Sequence, residues 1–166
     1  MTFPVFPSVS FAQFQFSSRK TANVLISDSF VAKISDFGIA KRLAIHTMTM
    51  RVGTTRWMAP EVLTSKGSST AYSLGSDVYS FGVIVWEMLT LKLPWGNVSF
   101  DHQIEDRVTS GEVLQIFDFA APYRDILLSC WNLDAQLRPM FTELIGKIDA
   151  VPMIEGSPDR PIESIN

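Results

Sequence analysis

Two side chains with oxygen ligands, Asn23 and Asp36, stand at the outer ends of a predicted β-hairpin. The mostly apolar segments 23–26 and 30–34 flank the polar turn 27–29, a pattern typical of two short strands. A hairpin brings the start of its first strand beside the end of its second, so the amide and the carboxylate converge. Hard oxygen ligands suit Mg²⁺, which takes further ligands from substrate phosphates. The pattern predicts a magnesium–phosphate site, although an Asp at a strand end also serves as a turn or helix cap.

The elements that position this site are mostly helical. Residues 77–91 predict a helix that is apolar on nearly every side, and such a helix belongs in the interior of a domain. Apolar residues at helical spacing predict a second helix from Tyr123, with Pro122 at its first position, and a third over 141–148. We therefore expect a mainly α fold, a helical bundle around a buried central helix, with one β-hairpin.

Composition limits the class of protein. The 166 residues suffice for one domain with a core, and Cys130, the single cysteine, excludes an internal disulfide framework and favours a cytoplasmic protein. A formal net charge of −3 gives no basic stripe for nucleic acid. The longest apolar stretch, 78–95, is interrupted by Glu87 and Lys92, so no membrane span is expected.

Asp36 begins the tripeptide Asp-Phe-Gly, and further motifs follow it along the chain. They are Gly-Thr-Thr-Arg-Trp-Met-Ala-Pro-Glu (53–61), Ser-Asp-Val-Tyr-Ser-Phe-Gly (76–82), Pro-Trp (94–95), Cys-Trp (130–131) and Arg-Pro (138–139). In this order and spacing the chain resembles the eukaryotic protein kinase family, and the wording of 57–61 is most similar to the tyrosine-kinase-like group of Ser/Thr kinases. The resemblance implies a kinase C-terminal lobe over residues 19–149, with the N-terminal lobe absent.

The two ends of the chain do not share this resemblance. Residues 1–18 carry no charge and hold five of the twelve phenylalanines, so we interpret them as a non-matching segment. Residues 150–166 contain three prolines and few large apolar side chains, which predicts a disordered tail.

The resemblance implies catalytic and cofactor-binding roles. Asp36 and Asn23 would hold Mg²⁺ on the phosphates of ATP. Lys20 stands where Ser/Thr kinases place a lysine beside the γ-phosphate, and its alternative is an ordinary solvated lysine. Thr54 resembles the threonine that ties the substrate-docking loop to the catalytic loop; it is alternatively a turn residue or a phosphorylation target.

Three charged residues are interpreted as structural. Glu61 and Arg138 match an ion pair that pins the activation segment to the helical subdomain, the alternative being two unrelated surface charges. Asp77 matches a residue that accepts backbone amides of the catalytic loop, and it could equally serve as the N-cap of the central helix. The basic residues Lys41, Arg42, Arg51 and Arg56 would accept acidic or phosphorylated groups, or else form a solvated loop face.

The catalytic loop departs from the family pattern. Counting back from Asn23 places Phe16, Ser17 and Ser18 where His, Arg and Asp are expected, so Ser18 occupies the general-base position. A serine hydroxyl does not titrate near neutral pH and cannot orient the attacking hydroxyl as a carboxylate does. Ser17 also removes the arginine that would receive a phosphate on the candidate phosphorylation sites Thr47, Thr49 or Thr55.

We therefore expect a protein kinase domain fragment that is inactive or nearly so as an isolated chain and binds ATP and Mg²⁺ weakly. Its partners would be a protein substrate or a partner kinase. The alternatives are a pseudokinase-like binding module and a non-functional truncated gene product. Uncovered apolar surface on the central helix predicts self-association or chaperone binding.

Overall fold

A computed structural model describes residues 24–29, 31–34, 55–65 and 73–152. The hairpin consists of β1 (Val24–Ile26) and β2 (Ala32–Ile34), which pair antiparallel with Val24 opposite Ile34. The turn between them closes where the amide of Val31 donates to the Ser27 hydroxyl at 3.1 Å. The predicted hairpin is therefore confirmed, and its register places the start of β1 and the end of β2 at the same end of the ribbon.

The helical part contains five α-helices and three 3₁₀ turns in the described residues. The α-helices are α1 (Pro60–Thr64), α2 (Leu74–Thr90), α3 (Asp101–Thr109), α4 (Arg124–Cys130) and α5 (Phe141–Asp149). The 3₁₀ turns cover Thr55–Trp57, Asp118–Tyr123 and Ala135–Leu137. The mainly α architecture with one hairpin confirms the predicted fold class.

Helix α2 forms the centre of the core. Nine of its seventeen residues are buried, and it packs chiefly against α4. The closest approach is at Gly82, where an added Cβ would lie 2.7 Å from the Cβ of Cys130 and 2.8 Å from Nε1 of Trp131. Glycine is therefore required here because no side chain fits between the two helices.

The start of α2 lies three residues before the predicted one. Ser73 is the N-cap: its hydroxyl accepts from the amide of Ser76, and the Ser76 hydroxyl accepts from the amide of Ser73. This reciprocal pair satisfies two amides that have no partner within the helix. The helix ends at Thr90, and the next residue, Leu91, adopts a left-handed conformation with φ 54°.

Helices α1 and α3 pack on each other and bring the Thr55–Trp57 turn against the start of α3. Helix α3 contributes only two buried side chains, Ile104 and Val108, which are four positions apart on one face. Helix α5 covers the core through Leu144, and Phe141 meets Phe81 of α2 edge to face, with ring centroids 5.5 Å apart.

Candidate functional site

The residues assigned to catalysis and to cofactor binding from the sequence fall outside the described part of the chain. They are Ser18, Lys20, Asn23, Asp36 and Thr54, together with the candidate phosphorylation sites Thr47 and Thr49. The structure does describe Thr55, Glu61, Asp77 and Arg138, which lie on the elements that follow the predicted site. The described part of the candidate functional site is its supporting side, which consists of the segment 55–61 and the helices that hold it.

Glu61 in the first turn of α1 and Arg138 form a two-pronged ion pair. Nη1 of Arg138 lies 2.7 Å from Oε1 of Glu61, and Nη2 lies 2.8 Å from Oε2. The side chain of Arg138 is fully buried and that of Glu61 is 27% exposed. Parallel bonds between a guanidinium and a carboxylate fix orientation as well as distance. The pair thus joins α1 to the loop after α4, across 77 positions of sequence.

Arg138 also binds the backbone of two other elements. Its Nε donates to the carbonyl of Asn132 at 2.8 Å, and Nη1 donates to the carbonyl of Gly75 at 2.9 Å. The guanidinium carbon lies 5.2 Å from the ring centre of Tyr79. Burial raises the pKa of the Tyr79 phenol well above its usual value, so this ring is neutral beside the cation. One buried side chain therefore connects α1, the first turn of α2 and the segment after α4.

Asp77 lies in α2 and is 4% exposed. The alternative that it caps this helix is wrong, because the helix begins at Leu74 and Ser73 is the N-cap. Its role as an acceptor for the catalytic loop stays a prediction, since that loop lies outside the described residues.

The Thr55–Trp57 turn is held by a different contact at each of its residues. The hydroxyl of Thr55, which is 1% exposed, donates to Oδ2 of Asp101 at the start of α3, at 3.1 Å. Nε1 of Trp57 donates to Oε2 of Glu87 at 3.0 Å, and the Ser80 hydroxyl donates to the carbonyl of Trp57 at 2.8 Å. Phosphorylation of Thr55 would require this turn to open first, because its hydroxyl is buried and bonded to a carboxylate.

Arg56 is half-buried and donates to three backbone carbonyls of the segment between α2 and α3. Its Nη1 donates to the carbonyls of Pro94 and Trp95 at 2.8 and 2.6 Å, and its Nη2 donates to the carbonyl of Val98 at 3.2 Å. These bonds give Arg56 a structural role within the described residues, and its binding of acidic or phosphorylated groups stays a prediction. The sequence offered no signal for these contacts, because any residue supplies a backbone carbonyl.

The chain also matches a known protein family. A family model described as "Protein tyrosine and serine/threonine kinase" matches residues 19–148. The chain belongs to the protein kinase family. The stretch that matches includes the hairpin, the Thr55–Trp57 turn, the Glu61–Arg138 pair, helices α1 to α4 and all but the last residue of α5. This agrees with the kinase C-terminal lobe that the resemblance predicted.

Individual kinases match the chain at about one residue in three. It is 33% identical over 150 residues to the probable serine/threonine-protein kinase SIS8 of Arabidopsis thaliana, which covers 87% of the chain and 14% of the relative. It is 37% identical over 132 residues to vascular endothelial growth factor receptor 1 of Mus musculus, covering 76% and 10%. A probable serine/threonine-protein kinase of Dictyostelium discoideum, drkD, is 35% identical over 139 residues, covering 82% and 10%. The chain thus spans less than a fifth of the length of these relatives.

Across residues 24–29, 31–34, 55–65 and 73–152, no three His, Cys, Asp or Glu side chains come together in a way that could hold a metal ion. In the same ranges no helix has the length and apolar character needed to cross a membrane.

Proposed function

We propose that this kinase chain serves the transfer of a phosphoryl group from ATP to serine or threonine of a protein substrate. The observation that carries the proposal is the buried Glu61–Arg138 pair, which fixes the segment 55–61 within the family-matched stretch. Two of the relatives described above are named as serine/threonine kinases, and this supports the choice of acceptor.

ATP and Mg²⁺ are the proposed cofactors, held by Asn23 and Asp36 with Lys20 beside the γ-phosphate. One amide oxygen and one carboxylate are the donor types that Mg²⁺ takes, and the hairpin register supports their convergence because both strand ends lie at one end of the ribbon. The bound ion would neutralise charge on the phosphates. Thr54 would tie the substrate-docking loop to the catalytic loop.

The second part of the proposal is that activity is low because Ser18 stands at the general-base position. A carboxylate there accepts a hydrogen bond from the substrate hydroxyl and directs it at the phosphorus, whereas a serine holds its own proton near neutral pH. General-base assistance contributes roughly 10²–10⁴-fold to the rate. A cytoplasmic location completes the proposal, and the absence of an internal disulfide framework in a sequence with one cysteine supports it.

Nucleotide binding by the purified chain tests the cofactor assignment. Titration calorimetry with ATP should give binding that requires Mg²⁺ and is lost in Asp36→Ala. Asp28→Ala is the matched control, because Asp28 is an exposed acidic residue in the turn of the same hairpin. Equal binding by wild type and Asp36→Ala would refute the metal-binding role.

Ser18→Asp tests the explanation for low activity. Phosphoryl transfer to casein, measured with labelled ATP, should rise at least tenfold over wild type, while Ser17→Asp should give no gain. A wild-type chain as active as Ser18→Asp would remove the reason for expecting a deficient enzyme.

A pseudokinase-like binding module is the second candidate function, and exposed apolar side chains on α2 favour it. Leu91 at the end of this helix is 90% exposed and Met88 is 50% exposed, so the helix keeps uncovered apolar surface. This surface would mediate self-association, chaperone binding or contact with a partner kinase. Light scattering on the purified chain tests self-association, because a monodisperse monomer at all concentrations contradicts it.

A chain that is cleared by proteolysis despite an abundant message would instead indicate a non-functional truncated product.

A further inference from the structure

Helix α2 keeps a row of apolar side chains at its surface. Phe81, Ile84 and Met88 recur at the spacing of three and four residues that places side chains on one helix face, and Leu91 continues the row just after the helix ends. Met88 is 50% exposed and Leu91 is 90% exposed, while Phe81 and Ile84 are half-buried. These four side chains, the α2 stripe, therefore lie at the edge of the core and keep contact with water.

Helix α5 extends this apolar surface. Phe141 meets Phe81 of the stripe edge to face, with ring centroids 5.5 Å apart. Ile145 follows four positions later on the same face of α5 and is 37% exposed. These side chains are uncharged, so a segment that covers them is stabilised by the apolar groups that it brings and destabilised by any charge that it must desolvate.

Residues 1–18 suit this surface better than the two other long stretches outside the described residues. The segment 1–18 contains five phenylalanines and no Asp, Glu, Lys or Arg. The segment 35–54 and the tail 153–166 each contain charged residues, which are Asp36, Lys41, Arg42 and Arg51 in the first and Glu155, Asp159, Arg160 and Glu163 in the second. Burial of unpaired charges costs far more free energy than the burial of neighbouring apolar groups returns.

The segment 1–18 is also joined to the described structure by a short connection. Residues 19–23 separate it from β1, which begins at Val24. The stripe is about 15 Å long at the rise of an α-helix, and the segment can extend to roughly 60 Å, so it is long enough to run along the whole stripe. A tethered segment acts at an effective concentration on the order of millimolar. It therefore outcompetes a second copy of the chain at the micromolar concentrations of a purified sample.

We propose that residues 1–18 lie on the α2 stripe and cover it within the same chain, with Phe11 and Phe14 as the principal contacts. The stretch 8–15 that contains these two phenylalanines has no proline and lies away from the catalytic-loop positions 16–18. Such a cover would occupy the surface that the binding-module candidate leaves for a partner. The proposal does not involve phosphoryl transfer, so it stands or falls independently of the proposed function.

Methionine oxidation measures the cover directly. In dilute hydrogen peroxide, Met88 should oxidise roughly tenfold more slowly than Met140, which is 66% exposed and lies outside the stripe. Phe11→Ser combined with Phe14→Ser should raise the Met88 rate roughly tenfold, because the cover is lost. Mass spectrometry of the oxidised peptides gives both rates. Equal rates for the two methionines in wild type would overturn the proposal, as would protection of Met88 that survives the double substitution.

Phe100→Ser combined with Phe119→Ser is the matched control for the loss of two phenylalanines. These residues are 61% and 54% exposed and lie outside residues 1–18, so their replacement should leave the Met88 rate unchanged. A Met88 rate that rises equally in this control would indicate a general loss of structure and overturn the proposal. Protection of Met88 that disappears when wild type is diluted would assign the cover to a second copy, which also overturns it.

Photo-crosslinking decides the question even where the double substitution prevents folding. Benzoylphenylalanine in place of Phe14 keeps an aromatic side chain at this position. Irradiation should join it to α2 or α5 within one chain, at the stripe or at Ile145, and the product should migrate as a monomer. Crosslinked dimers, or attachment confined to other elements, would overturn the proposal.

Discussion

Replacing Glu61 by alanine leaves the guanidinium of Arg138 buried without its carboxylate. The side chain of Arg138 has no exposed surface, so water cannot take the place of Glu61 without opening the core. Removing one partner of a buried ion pair costs about 3–5 kcal/mol. Arg138 keeps its bonds to the carbonyls of Asn132 and Gly75, and Glu61 itself is 27% exposed, so we expect the lower end, about 3 kcal/mol.

A loss of this size is large beside the 5–15 kcal/mol that stabilises a typical domain, and it lowers Tm by roughly 10–20 °C. Urea unfolding followed by tryptophan fluorescence measures it directly, since all four tryptophans are at least 95% buried: Trp57, Trp86, Trp95 and Trp131. Glu112→Ala is the matched control, because Glu112 pairs with Arg107 at the surface and should cost at most about 1 kcal/mol. A Glu61→Ala protein no less stable than Glu112→Ala would refute the assignment of this pair as the anchor of the segment.

Three further changes have defined outcomes. Gly82→Ala should lower the free energy of unfolding by about 1–3 kcal/mol, because the added Cβ would lie 2.8 Å from Nε1 of Trp131. Thermal melting measures this loss. Unchanged stability would mean that α2 and α4 pack less closely than the structure shows. Ser73→Ala removes the side-chain acceptor for the Ser76 amide and should cost about 1 kcal/mol by urea titration, whereas Ser73→Asp should retain most of the stability. Burial raises the pKa of the Cys130 thiol to about 12, so the folded state holds a proton that the unfolded chain releases near pH 9. The free energy of unfolding is therefore unaffected by this thiol below pH 9 and falls between pH 9 and 12. Thiol reagents should label Cys130 only when the chain unfolds. Rapid labelling of the native chain at pH 8 would contradict the burial of this thiol.

Local patterns were sufficient to predict the hairpin and the central helix. Apolar runs around a polar turn predicted the strands, and a continuous apolar stretch predicted a buried α2. Helix α3 was missed because most of its residues are polar and only Ile104 and Val108 are buried. The start of α2 was misplaced for a related reason, since the reciprocal bonds of Ser73 and Ser76 carry no apolar signal.

Part of the candidate site was also predicted from the sequence, and part was not. The motifs in sequence order identified the kinase family and singled out Glu61 and Arg138, because residue types at fixed spacing are visible in the chain itself. The partners of Thr55, Arg56 and Trp57 were not visible, since they lie 30 to 46 positions away.

The sequence by itself determined the family, the β-hairpin and which helix would be buried, because these depend on local periodicity and on the order of the motifs. Only the tertiary structure decided that Arg56 binds backbone carbonyls and that Asp101 receives the hydroxyl of Thr55. The physical reason is that a hydrogen bond depends on the distance and angle between donor and acceptor. For groups far apart along the chain, tertiary packing sets that distance and angle.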